Sequence, residues 1–345
     1  MTESVDLDFS RFALIAAGHS AFQLLWSGDQ LGLYVLLSSN PGIDLNEIAR
    51  QLSLGVYPCR ILLVGLTALG VLRNENGRYF NAALIEQMMV KGKPGYFGPI
   101  LGWQAHIVYP GLEDFLESLK QGTNVGLRHF PGQGSTLYER LVSHPELEQV
   151  FQDAMSALSI QANSHIVGAY DFGRFSHIVD AGGGDGTNAI ALAKRHQNLK
   201  VTVYDSKSVC LIAQEKIEAE GLSDRVFTWV GDFLNDPFPP GVDAIFFCHI
   251  FTIWSMERNT KLLRKCWNAL PPGGAAIIFN MMGDDDDTGP LITALGSPYF
   301  LAIATGEGML HAWKDYEKAI LEAGFTSVTQ VEGLPLNHGL LVANK

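Results

Sequence analysis

The chain has 345 residues, a formal net charge of −12 and a hydrophobic fraction of 47%. Its length favours two domains over one, because a single hydrophobic core seldom grows this large. The acidic balance argues against a general nucleic-acid-binding surface, since phosphate contacts need clustered Lys and Arg. The four cysteines are scattered without a CxxC pair, which predicts reduced thiols of a cytoplasmic protein. We expect neither a signal peptide nor a membrane span.

The N-terminal part of the chain predicts a helix, a turn, a helix and a hairpin. Residues 10–40 have helical periodicity, Asp44 is a plausible N-cap of a short helix, and a second helix is expected over 58–69. Two short strands flank the turn sequence at 74–77. This is a winged-helix pattern. Proteins use this pattern either to bind DNA or to dimerise and cover a substrate. The acidic charge of the chain favours dimerisation and substrate covering. We place this domain at residues 1–97.

The rest of the chain predicts a helical connector followed by an α/β domain. Residues 98–170 have helical patterns that break near 130–134, and strands and helices alternate from His177 onward. Such alternation is typical of a parallel, doubly wound, Rossmann-like sheet, which we place at 171–345. The last two strands lack a helix between them and predict an antiparallel edge hairpin. The predicted strands are 178–179, 200–204, 226–230, 244–247, 275–279, 327–331 and 339–342.

A glycine-rich run, DAGGGDG at 180–186, lies between the first of these strands and a helix. Glycines at such a turn let the backbone approach a ligand closely and leave the amides of the helix N terminus free to bind it. Asp205 ends the next strand, about 20 residues further on, where a carboxylate can bind ribose hydroxyls. The pattern therefore predicts a cofactor that carries a nucleoside.

Two classes of cofactor compete for this site. A dinucleotide would favour a G-x-G-x-x-G spacing and a surface for its diphosphate, which the run at 180–186 does not match. Asp232 and Phe233 follow the third strand, where a carboxylate can accept from an adenine amino group and a ring can lie against the base. The positive sulfonium of S-adenosylmethionine suits acids and aromatic faces. Asp180, Asp205 and Asp232 therefore favour S-adenosylmethionine.

At this point the chain resembles a known family, the bacterial and plant small-molecule methyltransferases of the O-methyltransferase type that act on phenols. The resemblance rests on motifs that occur in order over most of the chain: Phe151-x-x-x-Met155-x-x-x-Ser159, VDAGGGDG at 179–186, Asp205, Gly231-Asp232-Phe233, Trp254, Glu257-Arg258, Pro272-Gly273-Gly274 and Ala323-Gly324-Phe325.

The resemblance implies roles for individual residues. Gly182 and Gly184 would hold the cofactor, Asp205 its ribose, and Asp232 with Phe233 its adenine. Ser159 would contact the cofactor carboxylate, and Met155 would line the substrate site. Further cofactor contacts are expected from positions along the first and fourth strands: Asp180, Cys248 and Trp254. The resemblance also implies a homodimer with interlocked N-terminal domains, in which the partner's domain closes each active site.

The expected catalytic base of that family is missing. Its O-methylating members carry a His-Asp-Trp triplet, of which only Trp254 is present, because Thr252 and Ile253 occupy the other positions. An alcohol hydroxyl cannot act as a base near neutral pH. Both orienting glutamates are also replaced, one by Asn280 and the other within residues 309–311. Three losses together indicate different chemistry.

Three histidines are candidates for the base: His249, His311 and, from the connector, His106. His249 follows a strand, at the edge where such sheets bind ligands, and an imidazole is the natural base at physiological pH. Each could instead be a packed histidine with one satisfied nitrogen. A metal held by His249 and His311 lacks a third ligand, so no metal is predicted. Asn280 could bind a hydroxyl, an amine or a carboxylate.

Aromatic and methionine side chains are expected to surround a planar substrate, although such residues are also common in cores. They are Trp103, Met155, Phe251, Trp254, Met281, Met282, Tyr299, Phe300 and Trp313, with Thr252 beside them.

We predict an S-adenosylmethionine-dependent methyltransferase that acts on a small aromatic, phenolic metabolite. Residues 280–300 resemble enzymes that methylate the ring carbon of tyrosine in antibiotic pathways, which favours transfer to carbon. Transfer to oxygen or nitrogen, a cyclase or pericyclase that leaves the cofactor intact, and a DNA-binding regulator are the alternatives.

Overall fold

The computed structural model describes residues 7–345, except for the side chains of Asn163 and Ser164. The chain divides into two compact units, Met1–Ala105 and His106–Lys345. In the described part of the first unit, the elements are α1 (Phe9–Ala16), α2 (Gly18–Gln30), α3 (Leu33–Ser39), β1 (Ile43–Asp44), α4 (Leu45–Gln51), α5 (Val56–Ala68), β2 (Leu72–Glu75), β3 (Arg78–Asn81), α6 (Ala83–Met88) and α7 (Gly98–Trp103).

The first unit has the predicted winged-helix elements. The Asp44 carboxylate accepts from the Glu47 N–H at 3.0 Å and so caps α4, as expected. Helix α5 begins at Val56, ahead of Pro58, because proline fits a first helical turn that needs no intrahelical N–H donor there. The short strand β1, which was not predicted, pairs with β3 and gives the sheet order β1-β3-β2.

The elements of the second unit are α8 (Tyr109–Gly111), α9 (Phe115–Gln121), α10 (Leu137–Leu141), α11 (Pro145–Ala169), β4 (His177–Ala181), α12 (Thr187–Arg195), β5 (Lys200–Asp205), α13 (Lys207–Ala219), β6 (Val226–Val230), β7 (Ala244–Cys248), α14 (Met256–Ala269), β8 (Ala275–Met281), α15 (Leu291–Tyr299), α16 (Trp313–Glu322), β9 (Ser327–Val331) and β10 (His338–Asn344). A π-helical segment, Gln104–Val108, precedes α8, and another, Phe300–Ala304, follows α15.

A seven-stranded sheet forms the centre of the second unit, in the order β6-β5-β4-β7-β8-β10-β9. Strands β4 to β8 are parallel, and β10 pairs antiparallel with both β8 and β9. This confirms the predicted α/β class, the doubly wound sheet and the antiparallel edge. Strand β10 lies inside the sheet rather than at its rim. Its first residue, His338, is opposite Met281, so it begins at the edge where the parallel strands end.

The two faces of this sheet pack against different helices. One face packs on α11, α12 and α13, through residues such as Ile166 and Ala213. The other packs on α14 and α16, through residues such as Leu263 and Ile320. Neighbouring strand residues alternate between the faces, as the period of two requires. Ile178, for example, belongs to the first cluster and Val179 to the second.

Over residues 7–345, no single helix is long and apolar enough to cross a membrane. The helices α4 and α5, which bend by 112° at their junction, pass the same test of length and composition only as a pair.

Candidate active site

The glycine run forms the turn between β4 and α12. Gly182 and Gly184 have φ angles of 70° and 58°, in the left-handed region that other residues avoid. The Gly182 N–H donates to the Tyr204 carbonyl at 2.8 Å. A β-carbon on Gly182 would overlap the Ile250 side chain. The turn therefore requires glycine, and its backbone is open to close approach of a ligand.

Asp205, at the end of β5, is fixed beside this turn by two backbone donors. One carboxylate oxygen accepts from the Gly184 N–H at 3.0 Å, and the other accepts from the Ser206 N–H at 2.7 Å. Burial raises the pKa of Asp205, and these two donors oppose that shift. The structure thus brings the glycine run and the predicted ribose-binding acid into direct contact.

Asp180 lies beneath the turn with no exposed surface. A β-carbon on Gly183 would come within 2.8 Å of the Asp180 carboxyl carbon. Burial raises the pKa of Asp180 to about 7, and repulsion from Asp205 and Asp185 adds to the shift. This carboxyl group therefore supports the turn from below and is partly protonated near neutral pH.

Asp232 and Phe233 lie in the turn after β6. The exposed Asp232 carboxylate accepts from the Leu234 N–H at 2.9 Å and from the Asn235 amide at 2.6 Å. The Phe233 ring packs edge-to-face on Tyr204, and its Cε1 is 3.4 Å from where a β-carbon of Gly182 would be. Phe233 therefore borders the glycine turn, while Asp232 closes its own turn.

One face of the connector helix α11 covers the glycine turn. The Gln152 Oε1 atom is 3.7 Å from the β-carbon position of Gly184, and the Ser156 hydroxyl is 3.2 Å from that of Thr187. Residues 152, 156 and 159 share one helical face. Ser159 accordingly lies on the face that covers the turn, and Met155 lies beside this row.

The end of β7 carries Cys248 and His249. Cys248 is buried, and burial raises its pKa well above the usual range, so it remains a thiol. His249 adopts a φ of 58°, and its ring lies edge-on to Phe279, with centroids 5.6 Å apart. No atom of the described residues hydrogen-bonds its Nε2. Burial, with a smaller effect of His338, lowers the pKa of His249 to about 3, so the imidazole is neutral at physiological pH.

His338 is a second imidazole at this edge, and it was not predicted. Its ring stacks on Phe279 at 4.8 Å and meets the His249 ring edge-on at 5.0 Å. Its Nδ1 lies 2.9 Å from the Pro335 carbonyl, so Nδ1 carries the proton and Nε2 the lone pair. The signal would have been the pairing of β10 with β8, because that pairing places the first residue of β10 at the edge where the parallel strands end.

Asn280 points to the other face of the sheet. It is completely buried, and its amide donates to the Tyr316 hydroxyl at 3.2 Å. Its Oδ1 has no hydrogen-bond partner among residues 7–345. A buried amide oxygen without a donor is unfavourable, so this atom is a candidate acceptor for a substrate group.

His311 lies on the same side as Asn280. Its ring packs edge-on to Tyr316, and its Nε2 is 3.2 Å from the Trp254 carbonyl. Nε2 therefore carries the proton, and burial lowers the pKa of the ring. His249 and His311 belong to opposite faces, and no group of three His, Cys, Asp or Glu side chains that could hold a metal occurs in the described part of the chain.

Thr252 is buried within the turn that follows β7. Its side chain is 1% exposed, and its hydroxyl donates to the His249 carbonyl at 3.1 Å. Trp254, two residues on, has the Arg258 guanidinium over its ring at 4.6 Å. The hydroxyl that replaces the expected base is thus engaged in a local hydrogen bond.

Glu307, which the sequence analysis did not single out, anchors the loop that carries His311. Its carboxylate accepts from the Ser255 hydroxyl at 2.7 Å and pairs with Arg258 at 3.1 Å. A β-carbon on Gly308 would overlap the carbonyls of Thr252 and Ile253. The loop is therefore fixed against the turn that contains Thr252 and Trp254. The position of Glu307 two residues before 309–311, where the second orienting glutamate of the family was expected, was the available signal.

The remaining predicted substrate contacts are spread over several elements. Phe251 is completely buried and packs on Phe247 at 4.9 Å, as a core residue does. Tyr299 ends α15 and packs edge-on to Phe300 at 5.1 Å. His106 is exposed in the segment before α8, and Trp103 ends α7 in the first unit. Contact of these residues with a substrate stays a prediction.

The burial of Asp180 predicts a pH-dependent effect of Asp180→Asn on stability. A carboxyl whose pKa is raised on folding holds its proton longer in the native state, so the wild type loses stability as pH rises from about 4 to about 7. The amide does not titrate. The free energy of unfolding of the variant, relative to wild type, should therefore rise by roughly 1.4 kcal/mol per pH unit over that range. Urea unfolding at several pH values measures this difference, and a constant difference would contradict the buried carboxyl.

Comparison with known proteins places the chain in a family. The model of the O-methyltransferase domain matches residues 112–326. An L-tyrosine C(3)-methyltransferase of Streptomyces lavendulae is 39% identical over 100% of this chain and 95% of its own length. A 3-hydroxy-5-methyl-1-naphthoate 3-O-methyltransferase of Streptomyces sahachiroi is 32% identical over 92% of this chain and 89% of its own.

A solved structure has the same fold over nearly the whole chain. It is the apo form of the S-adenosylmethionine-dependent methyltransferase SibL, with 39% identity and a TM-score of 0.84 over 98% of this chain and 99% of that one. The glycine turn and the adjoining Asp205 fit the same cofactor. The chain belongs to the O-methyltransferase family and is an S-adenosylmethionine-dependent methyltransferase.

Proposed function

We propose that this enzyme transfers methyl to a ring carbon of a small phenol, with tyrosine or a tyrosine-like metabolite of an antibiotic pathway as the substrate. The supporting observation is the state of Thr252. Its hydroxyl occupies the position of the usual base, yet it is buried and donates to the His249 carbonyl. The relative that methylates C3 of L-tyrosine, at 39% identity over the full chain, supports the same class of acceptor.

Transfer to carbon places particular demands on the protein. When bound, S-adenosylmethionine supplies an electrophilic methyl group, and the sulfur keeps the electron pair of the broken C–S bond. The protein must hold the ring carbon next to the phenolic oxygen in line with that methyl group, and positioning of this kind supplies much of the rate. It must also accept the phenolic proton and, once the new C–C bond has formed, the proton of the same ring carbon.

His249 and His311 are the proposed bases, because each has a ring nitrogen with a lone pair near the carboxyl ends of the strands. His249 Nε2 has no partner among the described residues, and His311 has a lone pair at Nδ1 because its Nε2 donates to Trp254. A phenolate beside the ring would raise the pKa of the imidazole, because an opposite charge nearby favours the protonated form. Asn280 is proposed to receive a polar group of the substrate through its free Oδ1.

We assign the cofactor to the edge formed by β4, β5 and β6. Gly182 and Gly184 would lie under it, Asp205 would bind the ribose, and Phe233 would lie against adenine. Asp232 can still accept from the adenine amino group, because a carboxylate has more lone pairs than its own turn uses. Ser159, Cys248 and Trp254 are proposed as further contacts, with Met155, Tyr299 and Phe300 on the substrate side.

Product analysis tests the methylated atom. With L-tyrosine and S-adenosylmethionine, the expected product gains one methyl group on the ring and keeps a free phenol, with one S-adenosylhomocysteine per turnover. Mass spectrometry gives the mass gain, and proton NMR shows the loss of one aromatic hydrogen. A methyl ether or an N-methyl product would overturn transfer to carbon. No turnover of tyrosine or of ring-substituted tyrosines would overturn the substrate class.

His249→Ala is predicted to lower kcat by roughly 10²–10⁴, the usual contribution of a general base. The matched variant is His311→Ala, and S-adenosylhomocysteine binding by calorimetry controls for damage to the cofactor site. A large fall in kcat with unchanged cofactor affinity supports a base at residue 249. Full activity of the His249 variant would assign the role to His311.

The N-terminal domain, which we place at residues 1–97, is proposed to form a homodimer. Helix α1 exposes Phe9, Phe12 and Ile15 by 82%, 52% and 67%, and α5 exposes Tyr57 and Ile61. Apolar surface of this extent marks an interface. Sedimentation equilibrium should give the mass of two chains. A monomer at micromolar concentration would contradict this proposal.

A further inference from the structure

The glycine turn itself contains one side chain that can form hydrogen bonds. Between Gly182 and Gly186, Asp185 is the one residue that is not glycine. Its neighbours Gly184 and Gly186 adopt φ angles of 58° and 80°. Glycine restricts the backbone less than any other residue, so ordering such a turn costs more conformational entropy. The partners of Asp185 therefore help to fix the turn, in addition to the bond between the Gly184 N–H and Asp205.

Asp185 is held by two residues through both of its carboxylate oxygens. Oδ2 accepts from Lys216 Nζ at 2.6 Å, and Oδ1 accepts from the Thr187 hydroxyl at 2.7 Å and from its N–H at 3.1 Å. The side chains of Asp185 and Lys216 are 14% and 33% exposed. Burial alone would raise the pKa of Asp185, but these bonds outweigh it and lower the pKa. The Asp185 carboxylate is thus favoured in its ionised form, and it is largely buried.

Lys216 also reaches the connector helix. Its Nζ donates to the Ser156 hydroxyl of α11 at 3.3 Å, and that hydroxyl is 3.2 Å from the Thr187 hydroxyl at the start of α12. A single ammonium group on α13 therefore joins the glycine turn to α11. The face of α11 that carries Ser156 is also the face of Gln152 and Ser159.

We propose that Lys216 is a positioning residue for cofactor binding, which holds the glycine turn and helix α11 in one arrangement through Asp185 and Ser156. The proposal rests on the cofactor site assigned above. Gly184, the residue before Asp185, donates its N–H to Asp205. Release of Asp185 would displace that amide and, with it, the carboxylate assigned to the ribose. Loss of the bond between Lys216 and Ser156 would release α11 from the turn. Ser159 would then move away from the cofactor that it is proposed to contact.

Calorimetric titration of the full-length protein with S-adenosylhomocysteine tests this role. Lys216→Met keeps the length of the side chain but cannot donate, and it leaves the Asp185 carboxylate without its cation. We expect about tenfold weaker binding, the scale of a lost hydrogen bond to a charged group. Lys216→Arg, which keeps charge and donors, should restore most of the affinity. The matched control is Lys194→Met, which removes an exposed pair with Glu220 and should bind normally.

A second measurement separates positioning from general stability. The rise in melting temperature on adding S-adenosylhomocysteine should shrink for Lys216→Met, whereas a merely structural role would lower the melting temperature of the free protein and leave the rise unchanged. Ser156→Ala removes only the hydrogen bond between Lys216 and α11. It should weaken binding of S-adenosylhomocysteine by roughly threefold if the helix is coupled to the turn.

The Asp205→Ala variant tests the assigned cofactor site separately from the role of Lys216. Its normal binding of S-adenosylhomocysteine would overturn the assigned cofactor site. Weak binding by Asp205→Ala together with wild-type binding by Lys216→Met and Ser156→Ala would keep the site and overturn the role of Lys216. If Lys216→Met does not fold, wild-type affinity of Ser156→Ala alone overturns the coupling of α11 to the turn.

Discussion

The hydrogen bond from the Gly184 N–H to the Asp205 carboxylate joins the turn after β4 to the end of β5, and the proposed cofactor site is built around it. It forms because Gly182 and Gly184 adopt backbone angles that turn the chain back over β4. The bond determines where the carboxylate of Asp205 lies. Asp180 lies against the same turn, because its carboxyl group fills the space that a side chain at Gly183 would need.

The parts of the fold that local patterns encode could be predicted from the sequence. Strand β7 and residues 275–279 of β8 are buried on both faces and therefore form continuous apolar runs in the sequence. The glycine turn and Asp205 were found because both lie where a strand ends. Strand order is not a local property, and the insertion of β10 between β8 and β9 was not predicted. That single pairing brings His338 to the edge where the parallel strands end.

Side chains whose partners are distant in sequence were missed, because such contacts leave no local pattern. Lys216 and Glu307 have no motif of their own, and their partners are distant in sequence: Asp185 precedes Lys216 by a strand and a helix, and Arg258 belongs to α14. The types of side chain at the site were foreseen better than their geometry. His249 and Asn280 were grouped as one catalytic set, yet they point to opposite faces, because Phe279 and Asn280 alternate along β8.

This separation limits how the site can work. His249 and His338 lie against Phe279 on the face of α11, whereas Asn280, Tyr316 and His311 lie on the face of α16. A substrate that reaches both sets must lie over the ends of β7 and β8 rather than within either face. Under the proposed function, a flat ring in this position would turn its two edges toward different faces of the sheet. In the proposed transfer to carbon, the phenolic proton and the proton of the methylated ring carbon could then pass to two different bases. Imidazoles lie on both faces of the sheet.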